Sequence, residues 1–561
     1  MPKDLNFFSK VNWDLLDRIP LTSKKVVEVG CGAADMAAVF KNRSPDCQYI
    51  GIEQSSDFAE IAQNRLDKLI ISDFESDIDL PDNIDCLIYN NVLEKLNDPE
   101  EYLDRHVKKL NDTSTLMACI YNFQYWRLIK QLIYGNCQLN EDDIFANTYR
   151  KSFNLKNIKD LFLSLGLTLI DVKPRIFNER EIDNFVDNMQ PALINFGIKK
   201  ESFKEYISPF QYIIRAAKNK PKRIQINYLK LPLDVNGLSM SRIEESLKSL
   251  SSIPGINCNI YEKPTLKLST DTKDKIKILM SYRPKYNTNY ASAIELIIKN
   301  NYLLIVDFDD HPNIIQDKLI RDFTFKCCHA IFTTNNSLAN VFKKYNPEVF
   351  VFQNNILSIN PRNYIHDNKI KVFFGAINRE NDWRPWIDTL NAVLTQDTNK
   401  WYFEVIHDKK FFNEINLPQE QKSFTPVCEY HKYLEIMSKC DVAFMPLQNT
   451  LFNLCKSDLK AVQAASYSLS ILSTPVVYSN NFIDKKTATF FTTKQELFQI
   501  LNTWSHNQDL IRDIGRNAQQ YVSQNRLYTH QIDNKIECFR DLWERRENLS
   551  GEILKRIAKF Q

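Results

Sequence analysis

One stretch near the amino terminus strongly limits what this chain can fold into. Residues 26–29 form a short apolar run, Gly30-Cys31-Gly32 a tight turn, and residues 35–43 a helical pattern; a second apolar run then ends at Glu53. Glycine permits the backbone conformations that such a turn requires. The order of strand, glycine turn, helix and strand predicts a Rossmann-like α/β unit with a carboxylate at the tip of its second strand.

This unit suits a nucleoside ligand. Glycines let the backbone approach a ligand closely, and the amide groups at a helix N-terminus favour its anionic part. A carboxylate after the second strand can accept hydrogen bonds from both ribose hydroxyls. A dinucleotide fingerprint requires a third glycine where this chain has Asp35, which disfavours NAD. A Rossmann-like domain without a cofactor is the alternative.

Four segments in order resemble the motifs of class I S-adenosylmethionine (SAM)-dependent methyltransferases. They are residues 28–32, 71–74, 85–96 and 116–121. The resemblance implies that SAM is held at the strand ends by Glu28, Gly30, Gly32, Glu53, Asp73, Phe74, Asn90 and Asn91. Relatives often carry a histidine where this chain has Lys95. Lys95 is the catalytic candidate there, although a lysine of ordinary pKa is a poor base at neutral pH.

The length and composition of the chain are typical of a globular protein with several domains. The 561 residues are 43% hydrophobic and 25% charged, a length that suggests three to five domains. A net charge of +3 gives no support for bulk nucleic-acid binding. The 12 cysteines include no CxxC pair, which is typical of reduced, cytosolic thiols. We expect neither a signal peptide nor a membrane-spanning helix.

Apolar runs and helical patterns divide the chain into three α/β regions. We predict a methyltransferase domain over residues 1–218, a basic linker over 219–223, and two further Rossmann-like halves over 224–365 and 366–561, the last with additional C-terminal helices. Two such halves in tandem bind a ligand in the cleft between them.

The third region resembles retaining, nucleotide-sugar-dependent glycosyltransferases of the GT-B fold. Residues 375–379, 440–447, 452–465 and 475–477 carry the resemblance. It implies a donor site formed by Gly375, Arg379, Arg384, Lys456, Ser457, Lys460 and Gln463. The five-residue spacing of Arg379 and Arg384 matches two cations at the diphosphate, and Ser457 is expected to cap the donor helix.

The donor site departs from the family pattern at the ribose. Gln463 stands where the family has a glutamate, and a neutral amide holds a hydroxyl less strongly than a carboxylate does. The acidic run at residues 307–311 suggests a site for a divalent cation. However, the order of the surrounding segments resembles the GT-B fold, whose enzymes seldom need a metal, so we expect none. Asp309, Asp310 and His311 are instead candidates for catalysis at the cleft.

Together these features predict a bifunctional transferase that uses SAM and a nucleotide sugar on a glycan or glycoconjugate, such as a surface polysaccharide, in the cytoplasm. An active methyltransferase with a degenerate, non-catalytic glycosyltransferase-like module is one alternative. An RNA or protein methyltransferase with a recognition domain is another, but it needs a basic face. The basic, partly apolar tail at residues 545–560 leaves peripheral contact with a membrane open.

Overall fold

The chain folds into two compact units. One comprises residues 1–222 with 251–255, and the other residues 223–250 with 256–561. The computed structural model describes residues 11–76, 78–135, 150–177, 179–230, 240–262, 275–360 and 369–561. The expected boundary at residues 365 and 366 lies outside the described residues.

The first unit contains one seven-stranded sheet. Its strands are β1 (Lys25–Val29), β2 (Gln48–Glu53), β3 (Lys68–Ile71), β4 (Cys86–Asn90), β5 (Thr115–Tyr121), β6 (Thr168–Ile176) and β7 (Pro209–Ala217). Their order in the sheet is β3-β2-β1-β4-β5-β7-β6, with β1 to β5 parallel and β7 antiparallel to both its neighbours. The strand order reverses between β1 and β4, where ligands of such sheets bind.

The helices of the first unit lie before β1 and between most of the successive strands. They are α1 (Trp13–Leu16), α2 (Asp35–Arg43), α3 (Ala59–Gln63), α4 (Pro99–Lys108), α5 (Trp126–Ile133), α6 (Leu155–Ser164), α7 (Glu179–Asn195) and α8 (Lys200–Ile207). The Asp98 side chain caps α4 by accepting a hydrogen bond from the Glu101 amide, as its position before Pro99 predicts. All residues of β5 and β7 are buried, as expected for strands covered on both faces.

The second unit contains two six-stranded parallel sheets. The first is built from β8 (Arg223–Lys230), β9 (Ile256–Tyr261), β10 (Lys275–Tyr282), β11 (Leu303–Asp307), β12 (Ala330–Thr333) and β13 (Val349–Val351), in the order β13-β12-β11-β10-β8-β9. The second is built from β14 (Ile370–Gly375), β15 (Trp401–Ile406), β16 (Lys422–Thr425), β17 (Val442–Phe444), β18 (Ser470–Ser473) and β19 (Thr489–Phe490), in the order β16-β15-β14-β17-β18-β19. This arrangement confirms the predicted α/β fold with a Rossmann-like domain followed by two Rossmann-like halves.

Fourteen helices surround these two sheets in the described part of the second unit. Those of the first half are α9 (Ser246–Ser251), which ends at the boundary between the units, α10 (Ala291–Lys299), α11 (Lys318–Lys326) and α12 (Asn336–Phe342). Those that follow are α13 (Glu380–Trp383), α14 (Ile387–Leu394), α15 (Lys409–Glu414), α16 (Tyr430–Met437), α17 (Leu451–Leu454), α18 (Leu459–Ser466), α19 (Lys494–His506), α20 (Gln508–Asn525), α21 (Ile532–Glu544) and α22 (Arg546–Ala558). None of the helices within the described ranges is long and apolar enough to cross a membrane.

The last helix of the chain packs on the first half of the second unit. Ile553 and Ile557 of α22 are buried in the same core as residues of α10 and α11, and the ring of Phe560 lies 5.3 Å from that of Phe323. Two apolar side chains of the tail are therefore used inside the protein, whereas Leu554 of the same helix is 42% exposed.

A buried arginine of the second half, Arg526, joins the two halves of the second unit through its contact with Asn354. The guanidinium of Arg526 donates to Asp458 Oδ1 at 2.8 Å and to the backbone oxygen of Asn354 at 2.9 Å. Arg526 is only 1% exposed, so its ion pair with Asp458 is held in low dielectric, and removing one partner would leave a buried charge uncompensated. The two halves are thus fastened beside the cleft that separates their sheets.

Candidate functional sites

The glycine turn lies at the carboxyl edge of the first sheet, where β1 and β4 end side by side. Gly30 has φ 82°, and a Cβ placed on it would lie 2.5 Å from Val92 Cγ2 and 2.8 Å from the backbone oxygen of Asn90. The Gly30 amide donates to the Ile52 carbonyl at 2.8 Å, which ties the turn to β2. Both the backbone conformation and the close approach of β4 therefore require glycine at position 30.

The carboxylate of Glu53 faces this turn. Its Oε2 accepts a hydrogen bond from the Gly32 amide at 2.7 Å, and its Oε1 accepts from the amides of Gln54 and Ser55 at 2.9 and 3.2 Å. The carboxylate is thereby fixed at the end of β2, next to the open edge of the sheet. Its remaining lone pairs are in the position from which a ribose could be held.

Glu28 is a buried carboxyl between three strands. Its Oε2 accepts from the Tyr49 hydroxyl at 2.8 Å and its Oε1 from Asn90 Nδ2 at 3.0 Å. Burial raises the pKa of Glu28 to about 7, against the lowering effect of these two hydrogen bonds. The side chain is 1% exposed, and its two hydrogen bonds join β1 to β2 and β4 below the turn.

The other predicted SAM-site residues have different environments. Asp73 is exposed just after β3, and its Oδ1 accepts from the Glu75 amide at 3.0 Å. Phe74 is buried in the core. Asn91 has φ 56°, and its Oδ1 accepts from Gln211 Nε2 at 2.7 Å. The structure thus gathers Gly30, Gly32, Glu53 and Asn90 around the switch point.

Lys95 ends a single 3₁₀ turn and is partly buried. Its neighbour Glu94 is a chemically notable group that the sequence analysis did not single out. Glu94 is buried, and burial raises its pKa to about 7. Its Oε1 accepts from the Tyr121 amide at 3.2 Å, while Oε2 finds no hydrogen-bond partner within the described part of the chain. The glutamate lay inside the motif at residues 85–96, where only the histidine position was considered.

A cavity of about 310 Å³ lies between the two halves of the second unit. It opens where β14 and β17 end and where the chain leaves β10 and β11. Eight of the predicted residues line it: Asp309, Asp310, Gly375, Arg379, Lys456, Ser457, Lys460 and Gln463. Two predicted residues, Arg384 and His311, do not line it. The carboxyl edges of two parallel sheets therefore face one space, as expected of a ligand site.

Arg379 is oriented into this cavity by two partners. Its guanidinium donates to Asp382 Oδ2 at 3.1 Å and to Asn453 Oδ1 at 2.9 Å. Asn453 belongs to α17, and its own Nδ2 donates to Asp382 Oδ1 at 2.9 Å. A carboxylate and an amide thus fix the guanidinium beside the donor loop.

Lys460 has a different partner from the other cavity cations. Its Nζ donates to the backbone oxygen of Gly375 at 2.8 Å. Desolvation by the cavity walls, and next the positive charge of Arg379 and Lys456, lower its pKa to about 8. Its side chain is nevertheless open to solvent in the cavity. An anion placed beside Lys460 would stabilise its protonated form, because it would supply an opposite charge next to the ammonium.

Three groups of the first half face Lys456 across the cavity. Lys456 Nζ lies 3.1 Å from Asp310 Oδ1, and Arg283 Nε donates to Asp309 Oδ1 at 2.7 Å. Burial would raise the pKa of Asp309, but the Arg283 and Arg242 guanidiniums hold it below its ordinary value. Arg283, which the sequence analysis missed, has φ 45° directly after β10. This strained residue is held by its contacts with the two carboxylates.

One expectation about the donor loop requires correction. Ser457 does not cap the donor helix, since α18 begins at Leu459 with Asp458 at the N-cap position, and Ser457 Oγ instead accepts from Asn354 Nδ2 at 3.0 Å. Asp458 makes no side-chain cap either, because it is bound to Arg526. The helix therefore starts two residues later than Ser457, with its first acidic group committed to the buried ion pair.

Gln463, which the resemblance assigns to the ribose, lines the cavity. Its Nε2 donates to the Tyr430 hydroxyl at 2.6 Å, and both residues line the cavity. Tyr430 and Tyr433 have near-parallel rings, 6.5 Å apart, on α16. These rings form an apolar wall that sequence reasoning missed, because their pairing with Gln463 joins residues 33 positions apart.

His407 was also missed and lines the same cavity. It has φ 73°, and its Nδ1 is buried with no hydrogen-bond partner among the described residues. Burial, followed by the charge of Lys460, lowers the pKa of His407 and favours the neutral imidazole at pH 7. The only sequence signal was its position just after the strand that ends at Ile406.

Arg384 and His311 lie away from the cavity lining. Arg384 donates to Glu380 Oε1 at 2.7 Å, and its guanidinium stacks over the Trp383 ring. His311 caps a 3₁₀ turn through Nδ1, which accepts from the Asn313 amide at 3.2 Å. Among the described residues, no group of three or more His, Cys, Asp or Glu side chains is placed to hold a metal ion.

Comparison with known proteins identifies the first region. A family model described as a methyltransferase domain matches residues 7–172, which confirms the methyltransferase resemblance of this part of the chain. A trans-aconitate 2-methyltransferase of Methylobacterium radiotolerans is 33% identical over 94 residues, 16% of this chain. The chain spans only 36% of the length of that curated relative.

Two solved structures are similar to larger parts of the chain. S. aureus TarM, in a complex with fondaparinux, alpha-GlcNAc-glycerol and UDP, is 11% identical with a TM-score of 0.36, covering 49% of this chain and 56% of that one. Anabaena HepE in complex with UDP-glucose is 13% identical with a TM-score of 0.39, covering 56% of this chain and 99% of that one. Neither likeness is close enough to carry an argument about activity.

Proposed function

We propose that this chain is a bifunctional transferase. Residues 1–218 would transfer a methyl group from SAM, residues 219–223 would form a linker, and residues 224–365 and 366–561 would form the two halves of a nucleotide-sugar-dependent glycosyltransferase. The acceptor would be a glycan or glycoconjugate, as in the synthesis of a surface polysaccharide. Both donors are cytoplasmic metabolites, so we propose a cytoplasmic location.

The methyltransferase proposal rests on one relationship, the hydrogen bond of 2.7 Å between the Gly32 amide and Glu53 Oε2. It fixes a carboxylate beside a turn that admits no Cβ at Gly30, and such a cradle fits the nucleoside of SAM. SAM supplies an electrophilic methyl group on a sulfonium. The protein would orient the acceptor atom in line with that group, and Glu94 and Lys95 are the ionisable groups beside the site.

Titration of the full-length protein with S-adenosylhomocysteine tests this proposal. We expect binding that is weakened at least tenfold by Glu53→Ala, because two ribose hydrogen bonds to a carboxylate would be lost. Glu60→Ala removes an exposed acid from α3 in the same domain and should leave binding unchanged. Equal binding by the Glu53→Ala variant and the wild-type protein would contradict the proposal.

The glycosyltransferase proposal rests on the cluster of Arg379, Lys456 and Lys460 in the cavity between the two halves. A nucleoside diphosphate leaves with increasing negative charge, and cations placed around it stabilise that charge. The cavity of about 310 Å³ suits the diphosphate and sugar of such a donor. No metal ion is required in this scheme, because side-chain cations supply the positive charge.

Calorimetric titration with UDP, GDP, ADP and dTDP would identify the nucleotide, and hydrolysis of the corresponding sugar nucleotides would test for catalysis. Binding of one of them at micromolar concentration supports a donor site. Lys460→Met should weaken that binding about tenfold, while Lys494→Met, which removes an exposed cation from α19, should not change it. A protein that binds none of the four nucleotides would contradict the proposal.

A second candidate function is favoured by the hydrogen bond between Gln463 and Tyr430. The amide is neutral and already engaged, so the second unit could bind a glycan or nucleotide without catalysing transfer. This alternative is an active methyltransferase with a degenerate, non-catalytic glycosyltransferase-like module. Nucleotide binding without donor hydrolysis, in both the wild-type protein and Gln463→Glu, would support it.

The proposed partners are therefore a glycan or glycoconjugate acceptor and a nucleotide sugar, and not a nucleic acid. The net charge of +3 over 561 residues provides no dominant basic surface for RNA. A filter-binding experiment with tRNA should show no salt-sensitive micromolar affinity. Peripheral contact with a membrane remains a proposal for a lipid-linked acceptor, and sedimentation with anionic vesicles tests it.

A further inference from the structure

One ion pair crosses the cavity between the two halves of the second unit. Lys456, from the loop between α17 and α18, places its Nζ 3.1 Å and 3.2 Å from the two carboxylate oxygens of Asp310 in the first half. The side chain of Asp310 is 8% exposed and that of Lys456 is 22% exposed. Partial burial makes the interaction stronger than that of an ordinary surface pair.

The first half holds the same loop at two further points. Asn335 Nδ2 donates to the backbone oxygens of Cys455 and Lys456 at 3.3 and 3.0 Å. Asn354 Nδ2 donates to Ser457 Oγ at 3.0 Å. Residues 455–457, which the proposed donor site would use, are therefore bound to the opposite half of the cleft by three side chains.

The carboxylates of Asp309 and Asp310 have different charged partners in the cleft. Asp309 accepts from Arg283 Nε at 2.7 Å and from the Tyr282 hydroxyl at 3.1 Å, both within the first half. Asp310 accepts from its neighbouring His311 amide at 2.9 Å, with the Arg283 guanidinium at a longer 3.7 Å, and its close cation is Lys456. Asp310 is thus the carboxylate whose closest charged contact lies on the other half.

A diphosphate would compete directly with this contact. Phosphate oxygens carry more charge than one carboxylate and would lie near Arg379 and Lys460, which line the same cavity as Lys456. An ammonium on a four-carbon stem can move between two anions without a change in the backbone. Lys456 would therefore exchange Asp310 for phosphate, and the Asp310 carboxylate would be left in the cleft as a hydrogen-bond acceptor.

We infer that Asp310 competes with the donor diphosphate for Lys456 and, once released, accepts a hydrogen bond from the hydroxyl of the incoming acceptor. The inference rests on the proposed glycosyltransferase function. It implies an order of binding, since the carboxylate that holds the acceptor is neutralised by Lys456 until the donor is in place.

A double-mutant cycle on the full-length protein tests the competition. UDP, GDP, ADP and dTDP are titrated calorimetrically, and the tightest is used with wild type, Asp310→Asn, Lys456→Met and the double variant. Asp310→Asn should tighten binding roughly three- to tenfold, whereas in the Lys456→Met background the same change should alter binding less than about twofold. Asp322→Asn, which removes a first-half carboxylate paired with Lys326 within α11, controls for net charge and should have no effect.

Hydrolysis of the sugar nucleotide, with water as acceptor, tests the proposed contact between Asp310 and the acceptor hydroxyl. Asp310→Asn should lower KM for the donor and also lower kcat at least tenfold, a combination that a general structural defect would not produce. An unchanged kcat would overturn the acceptor role.

Three outcomes of the double-mutant cycle would overturn the proposed competition between Asp310 and the diphosphate for Lys456. Equal tightening by Asp310→Asn with and without Lys456 would show a simple charge effect in place of exchange. Weaker binding by Asp310→Asn would show that the pair supports the donor site. If the asparagine variant does not fold, Asp310→Ser repeats the cycle. A wild-type protein that binds none of the four nucleotides overturns the proposed function together with this inference, whereas binding without coupling overturns the inference alone.

Discussion

The Nε2 amide of Gln463 donates a hydrogen bond of 2.6 Å to the hydroxyl of Tyr430, at the wall of the cavity where a ribose is expected. Replacing Gln463 by glutamate keeps the shape and the contact, because the tyrosine hydroxyl can donate to a carboxylate. The second carboxylate oxygen would then be a charged acceptor for a ribose hydroxyl. We expect nucleoside diphosphate binding to tighten about three- to tenfold, measured by calorimetry.

Gln499→Glu provides the matched control for that substitution. Gln499 is exposed on α19, so the same change of charge there should leave the affinity unaltered. Gain of donor hydrolysis in Gln463→Glu would indicate a weakened enzyme, and tighter binding without hydrolysis would indicate a binding module. An affinity equal to that of the wild type would show that position 463 does not contact the nucleotide.

The two arginines that were expected to act together should behave differently. Arg379 lines the cavity and is held by Asp382 and Asn453, whereas Arg384 pairs with Glu380 outside the cavity lining. Arg379→Ala should weaken nucleoside diphosphate binding about 10- to 100-fold, the usual cost of a lost charged hydrogen bond. Arg384→Ala is its matched control and should change the affinity less than twofold. Similar losses of affinity in both variants would support the prediction that both arginines contact the diphosphate.

The position of Arg384 shows where sequence reasoning reached its limit. A five-residue spacing predicts two neighbouring cations only if the chain between them is suitably bent. Here it forms α13, and five residues of helix rotate the side chains by about 140° relative to each other. The direction of a side chain depends on the local backbone, which the motif alone did not specify.

The sheets, by contrast, were predictable from local pattern. A continuous apolar run such as residues 303–306 identifies a strand that is covered on both faces, and it became β11, whereas β15 contains Glu404 and is only half-buried at Tyr402 and Glu404. The strands β9, β16 and β19 lie at sheet edges and are only partly buried, so their sequences carry a weaker apolar pattern. Arg283 and His407 were missed because both acquire their place in the cavity through contacts between residues far apart in the sequence.

The pKa of Lys460 should make nucleotide binding depend on pH. The free protein has a lowered pKa of about 8 at this lysine, and a bound diphosphate would raise it by supplying a negative charge. Binding therefore takes up a proton above pH 8, and the affinity should be constant at lower pH and fall by up to tenfold for each further unit. Calorimetry between pH 7 and 9 measures this slope.

Lys460→Arg is the informative control for that profile. An arginine keeps its charge throughout this range, so its affinity should be independent of pH. Lys460→Met should bind more weakly and also without a slope. A slope that persists in the arginine variant would assign the titration to another group in the cavity.

Gly30 should tolerate no side chain, although a glycine with positive φ in open surroundings should. A Cβ at Gly30 would lie 2.5 Å from Val92 Cγ2, whereas one at Gly166, with φ 70°, meets nothing within 4 Å. Gly166→Ala should lose only about 1 kcal/mol in the free energy of unfolding, from its backbone conformation alone. Gly30→Ala should lose more than about 2 kcal/mol and abolish binding of S-adenosylhomocysteine. Equal losses, measured by chemical denaturation, would contradict the close approach of β4 to the turn.

Glu28 should make the first sheet less stable as the pH rises. Burial raises its folded-state pKa from 4.5 to about 7, so between these values the folded protein holds a proton that the unfolded chain has released. The stabilisation is complete below pH 4.5 and is lost as the pH rises to 7, a change of roughly 3 kcal/mol. Glu28→Gln has no proton to lose and can keep the contacts with Tyr49 and Asn90, so it should retain its stability at pH 8.

Hydrogen exchange of the amides in β1 and β2, corrected for the intrinsic rate, follows this difference between pH 5 and 8. Glu60→Gln, an exposed acid on α3, should behave as the wild type, and an identical pH slope in Glu28→Gln would show that another buried acid, such as Glu94, dominates the titration.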